Sequence, residues 1–214
     1  MMDIFTELQK GGVVMIPLLL GSVLGLAIVL ERAFSLRYRK ILVPEIVTAI
    51  RKIRSPEDLR VAERICEANL GPFANIMLAT LSNQDLPKDE LKEIILDQGR
   101  QEVRVLERGL VMLETIAAAA PLLGLMGTVI GMIKVFNVIS QQGIGQASVL
   151  SGGISEALIT TVTGLAIGIP ALVAFNYFTN KAESLVMDIE KHSATLLRRF
   201  RFLPKSQEEA DHAV

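Results

Sequence analysis

The sequence has no tryptophan, one cysteine (Cys66) and two histidines (His192 and His212). A single thiol excludes an intrachain disulfide and a thiolate metal cluster, and two imidazoles give no zinc-ligand pattern. No phosphate-binding loop and no nucleophile–base constellation is present either. The chain is therefore expected to carry no cofactor, no metal and no hydrolytic chemistry, and not to be an enzyme. Cys66, His192 and His212 are expected in packing or solvated roles. Aromatic residues make up 5%, so Tyr38 and Tyr177 form only a weak interfacial belt. Charge is scarce as well, at 21% of 214 residues against about 25% in a soluble domain. The net charge of −1 offers no basic face for nucleic acid.

The scarcity is local. All but two of the 22 Lys and Arg residues, and all but three of the 23 Asp and Glu residues, lie in 31–114 and 181–214. Outside those stretches only Asp3, Glu7, Lys10, Lys134 and Glu156 are charged. Half of the chain is hydrophobic, and the mean hydropathy is +0.44. Three uncharged apolar runs, 11–30, 115–133 and 157–180, each have the length that crosses a hydrocarbon core of about 30 Å at about 1.5 Å per residue. The first run follows an n-region that is not basic and precedes a basic segment, so it is expected to stay in the mature protein.

Lys and Arg near the span ends set the orientation. Arg32, Arg37, Arg39 and Lys40 follow the first span, Arg100, Arg104 and Arg108 precede the second, and Lys181, Lys191, Arg198, Arg199 and Arg201 follow the third. The expected division is an outer N-terminus (1–10), a first span (11–30), a cytoplasmic helical region (31–110), a second span (111–139), an outer turn (140–145), a third span (146–180), and a cytoplasmic C-terminal helix and tail (181–214). The fold class is an all-α integral membrane protein with three transmembrane helices and long cytoplasmic helical extensions. Ser55, Pro56, Glu57 and Asp58 announce a helix start. Gly71-Pro72 and the 83–87 stretch break helices. From Lys88 onward the apolar spacing through Leu91, Ile94, Ile95, Val103, Leu106 and Leu110 predicts one helix running unbroken into the second span. The stretch 206–214 lacks periodicity and is expected to fray.

Glu156 interrupts the uncharged stretch between Lys134 and Lys181. An acid within a membrane span is expensive to hold and is read as functional by default. With the turn near Gln142, antiparallel positions have numbers summing to about 284, which puts Glu156 level with Thr128, roughly 21 Å below the turn. Lys134 falls level with Leu150 and is expected to snorkel to the outer face. At 100° per residue Thr160 and Thr163 share the Glu156 face, whereas Thr161 points to a different neighbour. Back-bonding to the preceding turn is the ordinary role of such hydroxyls. Gly124, Gly127 and Gly131, with Gly164 and Gly168, form small-residue stripes suited to close helix packing. Pro121 and Pro170 are expected to kink or loosen their helices. Glu114, at the cytoplasmic border of the second span, is an ordinary interfacial acid.

Two stretches, 119–132 (AAPLLGLMGTVIGM) and 153–171 (GISEALITTVTGLAIGIPA), resemble the MotA/TolQ/ExbB proton-channel family, and within it the ExbB branch. The resemblance implies a bacterial inner-membrane protein, multi-pass, with a periplasmic N-terminus and a cytoplasmic C-terminus. It implies a homopentamer around a central pore, enclosing the single-span helices of an ExbD-like (or TolR-like) dimer. Proton flow would drive those helices, and a TonB-like protein would pass the work to the outer membrane. Matched position by position, the family's pore-lining acid falls on Glu156 and its threonines on Thr128 and Thr161. Three spans rather than four depart from the MotA pattern, and no longer periplasmic extension of the kind some ExbB proteins carry is expected. The expected partners are further copies of the chain, the ExbD-like and TonB-like proteins, protons and membrane lipid. A TolQ-type subunit of the Tol-Pal system and a passive helix scaffold are the alternatives. A solute permease is disfavoured by the lack of an inverted repeat.

Overall fold

The computed structural model describes residues 11–143 and 147–200. The expectations for 1–10, for the outer turn at 144–145, and for 201–214, His212 included, lie outside the described residues. Among the described residues every regular element is a helix: α1 (Met15–Ser35), α2 (Tyr38–Ile41), α3 (Pro44–Lys52), α4 (Pro56–Ala68), α5 (Pro72–Ser82), α6 (Lys88–Glu107), α7 (Leu110–Gln142) and α8 (Ala147–Phe200). They fall into two units. One holds residues up to Phe34 together with 109–179, and the other holds 35–108 and the described residues from Asn180 onward.

Local signals set the helix boundaries of the second unit. Ser55 caps α4: its Oγ accepts from the Asp58 backbone N–H at 3.3 Å, and the Asp58 carboxylate accepts from the Ser55 N–H at 3.0 Å and the Arg54 N–H at 2.8 Å. Backbone donation from Arg54, then the hydrogen bonds with Ser55, hold the Asp58 carboxyl below its ordinary range. Pro72 opens α5 after Gly71, and α6 begins directly after Pro87. Successive helices α3 to α6 pack each on the next. Phe73, Met77, Ile46, Ile50, Leu185 and Leu196 are fully buried in this unit. Glu102 is buried too, accepting from Asn75 Nδ2 at 2.8 Å and Gln98 Nε2 at 3.2 Å, so the acid is hydrogen-bonded rather than orphaned. Cys66 is buried, and burial followed by Glu63 and Glu67 pushes its thiol up to about 11. The His192 ring packs on Phe73 with centroids 5.5 Å apart.

The helix expected to run unbroken from Lys88 into the second span is two helices. Arg108 ends α6 at ψ 130°, and Gly109 adopts φ 81° before α7 begins. Apolar spacing continues across the joint through Leu106 and Leu110, which hides it in the sequence. The turn sits at Gly109 because glycine takes a left-handed conformation without a Cβ clash. By contrast, α8 is one helix from Ala147 to Phe200, and both α7 and α8 continue through their prolines, Pro121 and Pro170.

In the first unit, α1, α7 and the first part of α8 contain windows of mean hydropathy 1.8, 2.0 and 2.1. Only 22 to 28% of each window is buried within the protein. Val14, Met15 and Leu18 pack with Ala120, Leu123 and Ile167, while Leu20, Val23, Leu122, Val129, Val162 and Val173 are exposed. Apolar helices this long with this much uncovered apolar surface require a hydrocarbon surround.

Candidate functional site in the membrane hairpin

Five glycines set the spacing of α7 and α8. A Cβ on Gly164 would lie 2.6 Å from the Ala120 carbonyl oxygen and 3.0 Å from the Gly124 Cα. A Cβ on Gly124 would meet the Thr160 carbonyl at 2.9 Å, and one on Gly131 would meet the Ala157 Cβ at 2.8 Å. Gly127 faces the Thr160 side chain, and Gly168 faces the Pro121 ring. The helices therefore meet backbone to backbone, the geometry that small residues permit in lipid. This register brings Glu156 level with about residues 128 to 132 of α7.

Lys134 does not snorkel away from this level. Its Nζ lies 2.5 Å from Glu156 Oε1, with Glu156 19% exposed and Lys134 52% exposed. Antiparallel numbering gives the depth of the Cα atoms alone, whereas the four-carbon lysine stem spans about one helical turn. In a medium of low dielectric, the attraction of the nearest opposite charge prevails over the pull of water at the outer face. Gly12, at φ +67°, brings the backbone ahead of α1 against the same carboxylate, so a Cβ there would overlap Glu156 Oε1. Neither the pairing of Lys134 with Glu156 nor the approach of Gly12 to it is evident from the sequence. The available signal was that Lys134 and Glu156 are the two charged residues between Glu114 and Lys181.

The threonines divide. Thr160 is fully buried; its hydroxyl donates to the Ala157 carbonyl at 2.8 Å and the Glu156 carbonyl at 3.3 Å. Thr163 donates to Ile159 O at 2.8 Å and Thr128 to Leu125 O at 2.6 Å, each within its own helix. Thr161 alone of the four crosses between helices, donating to Gly124 O at 3.1 Å. Thr160 thus adjoins Glu156 through the backbone, whereas the Thr128 and Thr161 hydroxyls are directed to carbonyls and not to the carboxylate. Among the described residues no three His, Cys, Asp or Glu side chains converge in a metal-binding group.

Three apolar helices, exposed to their surroundings and carrying an acid–ammonium pair in a tightly closed hairpin, define an all-α multi-pass integral membrane protein. The model of the MotA/TolQ/ExbB proton channel family matches residues 67–191, more than half of the chain and all of the hairpin site, and the chain belongs to that family. Putative biopolymer transport protein ExbB-like 3 of Synechocystis sp. is 31% identical over 208 residues, covering 94% of this chain and 99% of the relative. ExbB-like 1 of the same organism is 38% identical over 175 residues, covering 79% and 68%. The biopolymer transport protein ExbB of Aquifex aeolicus is 33% identical over 85 residues, covering 40% and 57%. The chain is thus a proton-channel-family subunit of the ExbB-like kind.

Proposed function

We propose that this chain forms, with further copies of itself and an ExbD-like single-span partner, a proton-driven motor of the bacterial inner membrane. The motor energises TonB-dependent transport across the outer membrane. The observation that carries this reading is Glu156, an acid in a membrane hairpin whose surrounding residues match a proton-channel family. The energy available is about 2.3 kcal/mol per elementary charge per 100 mV, supplemented by the pH gradient. The distribution of Lys and Arg supports an outer N-terminus, with 31–110 and 181–214 in the cytoplasm. Glu156 is a polar or transiently protonated station on the path, and Thr128 and Thr161 belong to its hydroxyl-lined surroundings. The names of the relatives favour an ExbB-type role over a TolQ-type one.

The test is Glu156→Ala in cells that depend on energised uptake. Uptake is expected to stop while the assembled complex is still recovered in detergent. Full uptake by this variant would sink the reading.

One observation favours a second reading, the passive scaffold: the Thr128, Thr160 and Thr163 hydroxyls bond within their own helices. Thr128→Val preserves shape and deletes the hydroxyl. A scaffold tolerates it, and a proton path that uses Thr128 does not.

A further inference from the structure

Two charges stand within the membrane hairpin, and the structure joins them. Lys134 Nζ lies 2.5 Å from Glu156 Oε1. On another side the chain at Gly12 closes in, leaving no room for a Cβ beside Oε1; such a Cβ would also lie 3.7 Å from Lys134 Nζ. One carboxylate oxygen, Oε1, is thus flanked by an ammonium group and by backbone, and the side chain is 19% exposed.

We infer that Lys134 is a tethered cation that occupies the position a metal cation would take on Glu156, and so makes the acid a site for protons that rejects Na+ and K+. A hard monovalent cation seeks carboxylate oxygen, and an unpaired acid in a membrane span would offer it one. With Lys134 in place, a second cation at Oε1 would lie within a few ångströms of a like charge in a medium of low dielectric, where the repulsion is many times that in water. A proton adds to a carboxyl oxygen and needs no coordination volume. Repulsion from the ammonium acts on any added cation, so the discrimination between Na+ and H+ rests on coordination volume, which Lys134 and the Gly12 backbone occupy beside Oε1. The inference deepens the proton-path reading above and depends on it only where flux is measured.

The experiment has two arms. In the first, the full-length chain in detergent is heated in rising NaCl and in choline chloride of equal ionic strength. Wild type and Lys134→Arg are expected to unfold at the same temperature in both salts. Lys134→Met is expected to gain stability in NaCl over choline chloride, rising with the logarithm of Na+ concentration, because Na+ binds the vacated carboxylate of the folded state. Lys134→Met combined with Glu156→Gln should lose that response. Lys134→Gln is a second variant read by the same criteria.

In the second arm, vesicles hold the chain together with an ExbD-like subunit. The ratio of Na+ to H+ flux is expected to rise at least tenfold from wild type to Lys134→Met. Wild type stabilised by Na+ over choline, or Lys134 variants that fold yet show no Na+ response, overturns the inference. Wild-type vesicles without proton flux overturn the channel reading instead, and the thermal arm alone then decides the role of Lys134.

Discussion

Gly164 and Ala120 touch without an intervening side chain: a Cβ on Gly164 would lie 2.6 Å from the Ala120 carbonyl oxygen. The neighbouring obstacle is the Gly124 Cα, also backbone, so neither can retreat by rotating a side chain.

Gly164→Ala is therefore expected to destabilise the membrane hairpin by about 1–3 kcal/mol, the range for overpacking a close contact. Gly152, also in α8, has nothing within 4 Å of its Cβ position. Gly152→Ala should be neutral or stabilising by up to about 1 kcal/mol through helix propensity. Thermal unfolding of both variants in detergent checks the pair, and equal effects would contradict the close approach.

Thr161 differs from Thr163 in what its hydroxyl reaches. Thr161→Val deletes the interhelical hydrogen bond to Gly124 O and is expected to cost about 0.6–1.7 kcal/mol. Thr163→Val deletes only a bond within α8 and should cost less. Denaturation of each variant, with proton flux in vesicles read alongside, separates packing from conduction.

Cys66 is buried, and its thiol is raised from 9.0 to about 11. A shift of that size lowers the thiolate fraction near pH 8 about a hundredfold, and burial slows reagent access further. Alkylation by iodoacetamide is expected to be at least that much slower in the folded chain than in denaturant. Rapid labelling of the native chain would contradict the burial.

The α4 cap gives a pH dependence with a definite sign. Asp58 is held below its ordinary value of 3.8, first by the Arg54 N–H and then by Ser55. Its stabilising contribution is present above the unfolded value of 3.8 and is lost as pH falls through the lower folded value. Asp58→Asn should therefore flatten the acid limb of stability below pH 3.8. Ser55→Ala is expected to cost about 1 kcal/mol at neutral pH through the lost cap. Acid titration followed by helix circular dichroism measures both.

What the sequence made legible is what local chemistry determines. Ser55 to Asp58 specify a helix start whatever surrounds them, and the apolar runs specify spans through length alone. The left-handed turn at Gly109 was hidden because a glycine within helical spacing reads as a tolerated helical residue. The Lys134–Glu156 pair was hidden for a different reason: numbering locates backbone depth, whereas the reach of a lysine stem depends on which opposite charge lies within one turn. The approach of Gly12 to Glu156 joins positions 144 residues apart and has no local signature. The helical wheel assigns Thr161 a different neighbour from Thr160, yet both reach α7: Thr160 packs on Gly127 and Thr161 donates to the Gly124 carbonyl, because the close glycine contact lets one helix touch positions about 100° apart.

The glycine contacts between α7 and α8 carry one more consequence. Where Ala120 and Gly124 meet Gly164, and Pro121 meets Gly168, the gap is too narrow even for a methyl group, and a water molecule needs at least comparable room. The seam of the hairpin is dry and closed to ions. An aqueous route through this stretch of the α7–α8 seam is therefore closed, and protons that pass Glu156 must approach it from outside the seam.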